Sequence, residues 1–132
     1  MASGMNDDRA NALLTADLKT ATVYGALFTA DPTDAGIVTN EVADSNAYAR
    51  TVISFDDAAA TRTIDNDVAC EFPAASGGAW GTITHLMICT TNAHNGDTGI
   101  YYGALTASKT VGDGDQLVFA AGNIDVTISA GA

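Results

Sequence analysis

The chain has 132 residues, enough for one domain with a core of its own, and its 16 acidic residues face five basic ones for a net charge of −11. That balance excludes nucleic acid as a partner, because phosphate binding rests on clustered cations, and Arg9, Lys19, Arg50, Arg62 and Lys109 are scattered. No run approaches the roughly 18 apolar residues of a membrane span, and Asp7, Asp8 and Asp17 interrupt the region where a signal peptide would be apolar. Synthesis in a cytoplasm, with no membrane partner, is the expectation.

Residues 5 to 19 predict a helix, with Asn6 as N-cap, Asp7 and Asp8 in the first turn and Lys19 at the far end. Ala10, Leu13, Leu14 and Leu18 form its one apolar stripe. Such a helix must dock, either as a lid on the chain's own body or as an arm reaching a neighbouring subunit.

From Thr22 the apolar period changes to two. Strands are predicted over 22–29, 48–55 and 67–72, the last with Val68, Cys70 and Phe72 on one face. Residues 81–90 read as the most central strand, since Ile83, Leu86, Met87 and Ile88 load both faces. A further strand is expected over 100–106. The C-terminus reads as a hairpin: Leu117 and Phe119 lead in, Gly122-Asn123 turns, and Ile124, Val126 and Ile128 return. With 13 glycines and only two prolines, the pattern predicts a mainly β fold, an antiparallel β-sandwich of jelly-roll type with a short N-terminal helix. Residues 1–20 form the helical arm and residues 21–132 the sandwich domain. The irregular stretches 37–46 and 73–79 are candidate contact loops.

Reactive constellations are sparse. His85 and Cys89 share a strand face but lie about 13 Å apart, too far to ligate one zinc ion. Cys70 and Cys89 can pair only if their strands do, and a reducing cytoplasm argues against it. The oxygen-rich turns 65–67, 95–97 and 113–115 lack the spacing of a calcium-binding loop and read as ordinary Asx turns. Ser54, Ser76 and Thr84 stand in no nucleophile elbow, although His85 and His94 are available as bases. No metal, no cofactor and no enzymatic activity are expected. Trp80 is either an exposed anchor or a cap on the end of the body, and one of Tyr101 and Tyr102 must face outward.

An ordered series of segments then carries a resemblance. It runs through Ala26-Leu27-Phe28-Thr29, Asp31-Pro32, Gly36, Glu41-Val42, Tyr48-Ala49-Arg50 and Phe72-Pro73-Ala74-Ala75. It continues with Trp80-Gly81-Thr82-Ile83-Thr84-His85, Gly103-Ala104-Leu105-Thr106, Lys109-Thr110-Val111, Gly114-Asp115 and Phe119-Ala120-Ala121-Gly122. Over roughly residues 24–128 the chain resembles small bacteriophage virion proteins labelled tail-fibre or head-decoration proteins. After His85 it departs from their more acidic strand end, reading Leu86-Met87-Ile88-Cys89-Thr90.

The resemblance implies a structural protein on the exterior of a phage particle. Decoration of the capsid, as a cement protein, is the favoured role and a tail-fibre module the alternative. A carbohydrate-binding sandwich using Trp80, Tyr101 and Tyr102 as platforms is the rival from another class. The implied partners are the major capsid protein or other virion proteins and copies of the chain itself, with a trimer favoured. Leu13, Leu14, Leu18, Trp80 and Tyr101 are the expected interface residues.

Overall fold

A computed structural model describes residues 5–56 and 62–128. The described chain is mainly β, with antiparallel ladders and one short N-terminal helix, as the period-two pattern predicts. It divides into two compact units: one drawn from Met1–Thr22, Ile53–Cys70 and Phe119–Ala132, the other from Val23–Val52 and Glu71–Val118.

The second unit is built on a four-stranded sheet in the order β2 (Thr51–Ile53), β1 (Val23–Phe28), β5 (Gly81–Cys89), β6 (Gly99–Val111). Central placement follows from apolar loading: Val23 and the run Ala26–Phe28 are buried in β1, as are Ile83 and Leu86 to Cys89 in β5. The two strands pair from Tyr24↔Cys89 to Phe28↔His85. Ala26, Phe28, Met87 and Cys89 form a common apolar cluster, with Val38 packed against it.

β6 lies at the sheet edge and extends past the predicted 100–106. Its pairing with β5 runs Ile83↔Lys109 and then His85↔Ala104. Four β6 residues, 105 to 108, therefore stand opposite the single residue Thr84, an irregular bulge larger than the usual two residues against one. Ala107 to Thr110 gave no alternation because all four residues are exposed.

In the first unit, α1 (Asp7–Leu14) runs into a π-helical turn, Thr15–Thr20. The expected stripe is buried at Ala10, Leu14 and Leu18. Asn6 has the extended backbone of an N-cap, but its side chain makes no capping hydrogen bond. The Asn11 carboxamide oxygen accepts from the Arg62 amide, and Arg62 donates from its guanidinium to Met5 O, Asp7 Oδ1 and Ile128 O. These bonds tie the helix start and the end of the last strand to one residue.

The C-terminal hairpin expected from the sequence does not form. The turn itself does, with the Asn123 amide on Ala120 O and Gly122 at φ +82°. However, β8 (Asp125–Thr127) pairs with β3 (Thr63–Asp65), a strand too short and polar to stand out in the sequence. β7 (Val118–Phe119) pairs with β4 (Cys70–Glu71). The reason is Asn66, which is 2% exposed. Its side chain accepts from the Ile124 amide and donates to Val68 O and Ala120 O, so the turn wraps around it instead of closing on itself. Val68, expected to face inward with Cys70 and Phe72, is instead exposed because β4 begins only at Cys70.

Leu14 is fully buried, so Leu14→Ala should cost about 2–5 kcal/mol, through lost transfer energy and the cavity left behind. Urea denaturation followed by circular dichroism measures it.

Candidate functional site

The densest polar construction lies within the second unit, where a buried ion pair fixes three surface loops. After β1 the chain turns through Asp31-Pro32-Thr33, where Asp31 Oδ1 caps the Thr33 amide. It then returns alongside the strand it left, with Glu41 bridged to Phe28 and the Val42 amide on Leu27 O. This return carries Glu41 inward. Nine residues later Arg50 meets it: Nε donates to Oε2 and Nη2 to Oε1, both at 2.8 Å, and neither side chain is exposed.

The carboxylate has four donors in all. Tyr48 Oη donates to Oε2 at 2.7 Å and the Asn95 amide to Oε1 at 2.8 Å. Burial by itself would raise the Glu41 pKa, but the hydrogen bonds from Arg50, Tyr48 and Asn95 outweigh it and hold the carboxyl below its ordinary 4.5. Tyr48 moves the other way: burial and the Glu41 carboxylate push its hydroxyl far above the usual range.

The remaining Arg50 donors reach Thr91 O and Gly96 O, and His94 Nε2 lies 2.8 Å from Val42 O. The loop joining β5 to β6 is thereby fastened to the loop following β1. Tyr48 Oη also accepts from the Leu27 amide, which ties the network to the sheet. A third loop joins through Trp80, whose Nε1 donates to Asn46 O at 2.9 Å while its ring meets Tyr48 edge-on at 5.3 Å. Asn46 and Ala47 both have positive φ, 54° and 68°. That conformation is costly for alanine, and the surrounding bonds hold it in place.

This geometry redistributes the expected interface residues. Leu14 and Leu18 lie in the core of their own unit, and Trp80 is 7% exposed beneath the Asn46 turn. The exposed-anchor reading of Trp80 is corrected: its indole is occupied inside the chain and cannot serve as a stacking platform. Leu13 and Tyr101 are half-buried. Tyr102 is the outward tyrosine of the pair, and its hydroxyl donates to Asp34 Oδ1 at 2.5 Å, which raises its pKa.

Cys70 and Cys89 are buried thiols not joined in a disulfide, each pushed by burial up to about 11. Among the described residues no group of three or more His, Cys, Asp or Glu side chains is placed to hold a metal ion. Asp113 and Asp115 carboxylate oxygens accept from the Gly77 and Gly112 amides. Thr84 Oγ1 lies 2.8 Å from His85 Nδ1, but the nearest carboxylate, Asp31, is 4.0 Å from Nε2. That is beyond hydrogen-bond range, so the carboxylate does not orient the ring.

Nothing in the sequence marked Glu41 and Arg50 as a pair. The available signal was a lone arginine inside a predicted strand, two residues after a tyrosine, in an acidic chain.

Fold and site together define a β module whose surface loops are held rigid by a buried salt bridge. Residues 8–127 match the family model described as Podophage GP4 fiber I protein gp80, and the chain belongs to that family. It is accordingly a structural protein of the bacteriophage virion. No curated protein matches the chain.

Arg50→Met strands a buried carboxylate and should cost about 3–5 kcal/mol, whereas Glu41→Leu combined with Arg50→Met should cost less than the two single changes together. Unfolding in urea, followed by fluorescence of the single tryptophan, measures this. Because the folded Glu41 pKa is lowered, its contribution is fully present above pH 4.5 and is lost as pH falls through the lowered value. Glu41→Gln should flatten the acid limb of the stability profile.

Proposed function

We propose that the chain is a fibre-associated module of the phage tail, non-catalytic, which binds other virion proteins and further copies of itself. The family match over residues 8–127 carries this reading and favours the tail over the capsid shell. The locked loops give it a physical basis. A surface that must bind repeatedly in one geometry loses less entropy when its loops are already ordered, and the Glu41–Arg50 pair orders the stretches 29–50 and 91–96. Those stretches present exposed Ile37, Asn40, Asp44 and Asn92.

Immunogold labelling of intact particles with antibody to the chain tests the location. Label confined to the tail is expected. Label spread over the capsid, with loss of heat or osmotic resistance in particles stripped of the protein, would establish decoration instead.

A further inference from the structure

β6 is the edge strand of the four-stranded sheet, with β5 on one side and no described strand on the other. A strand in that position directs every second N–H and C=O outward, where they can template another strand. Proteins blunt such edges with charge, proline, shortness or bulges. β6 is 13 residues long and lacks proline, and of its residues only Val111 is buried.

Its guards are confined to one half: the bulge at 105–108 and Lys109. Gly99 to Ala104 has regular pairing except for a shift at its first residue, and carries no charge. Ile100 and Tyr102 are 39% and 41% exposed.

Charge sets this strand apart. Residues 98–112 contain no acid, in a chain with a net charge of −11. Of the other acid-free stretches longer than ten residues, 18–30 and 72–96 hold the buried strands β1 and β5, and 45–55 holds the three-residue edge strand β2. A basic partner would be drawn to the acidic remainder of the surface. The strand itself brings no like charge to a second acidic copy, and the acid seated beside it, Asp34, is engaged by the Tyr102 hydroxyl.

The glycines point the same way. A Cβ at Gly99 would collide with the Met87 side chain, so the packing within the chain accounts for that glycine. At Gly103 a Cβ would meet nothing within 4 Å. A glycine in mid-strand weakens the strand and often marks where another backbone comes close.

We propose that two copies of this chain associate by antiparallel pairing of β6 along Gly99–Ala104, a seam about 20 Å long that continues the four-stranded sheet into its counterpart. The contact is isologous and joins copies in twos, unlike the trimer that the resemblance implies. The proposal gives a surface to the self-association in the functional reading above and is separable from it. A monomeric chain found on phage tails defeats only this proposal, and a dimer absent from tails defeats only the other.

Sedimentation equilibrium of the purified chain tests it. The wild type should dimerise, more tightly as salt screens the like charges. In Gly103→Pro and Ala104→Pro, one proline removes a ladder bond to β5 and the other touches only the outer edge, because successive amides point to opposite sides. The variant that keeps wild-type thermal stability should be monomeric. Ala104→Glu, an exposed change that leaves the backbone free, should weaken the dimer at least about tenfold, the equivalent of about 1.4 kcal/mol. Val68→Glu, exposed but off the strand, should change nothing. A wild type that stays monomeric up to about 1 mM, at the weak end of specific association, would overturn the proposal. So would a dimer that survives both the edge-side proline and Ala104→Glu.

Discussion

The arrangement of the second unit depends on one buried pair, Glu41 with Arg50. Either charge alone would be expensive inside the protein; together, with every oxygen of the carboxylate bonded, they are tolerated. What the pair supplies is position. Arg50 spends its remaining donors on the carbonyls of Thr91 and Gly96, and Glu41 spends its remaining capacity on Tyr48 and the Asn95 amide. Loops that would otherwise sample many conformations are thus specified by charge-assisted bonds of fixed geometry.

The first unit shows the same tactic with a neutral residue. Asn66 uses donor and acceptor at once to hold the 120–124 turn. Arg62, at φ +65°, does so again between the helix start and the last strand. Each of these polar residues is buried and each gathers backbone groups distant in sequence. In a chain only 7% aromatic, polar side chains supply much of the fold's specificity.

This explains what the sequence made legible. The central strands were readable because burial on both faces leaves a dense apolar signal, as in Ile83 to Cys89. The helix was readable from its stripe and its acidic first turn. By contrast, the partner of β8 could not be read, since Gly122-Asn123 between two alternating runs is also what a hairpin would show, and one buried carboxamide decides between them. The far half of β6 was silent because exposed polar strands carry no period. Trp80 read in the sequence as either an exposed anchor or a cap on the end of the body; the bond from its indole to Asn46 O holds it inside. The Glu41–Arg50 pair has no short motif at all, since it depends on a loop folding back along β1.

The interleaving of the two units bears on how the protein is made. The chain passes between them after Thr22, Val52, Cys70 and Val118. A ribosome releases the polypeptide in order, so β1, β5 and β6 all emerge before β8 and the sheet can begin to assemble first. The other unit has to wait, since its helix and β3 meet their last strand only when Asp125–Thr127 is free. For the same reason neither unit can be excised as one continuous fragment, and a premature stop shortly before β8 would leave the N-terminal helix without the partner that Arg62 links it to.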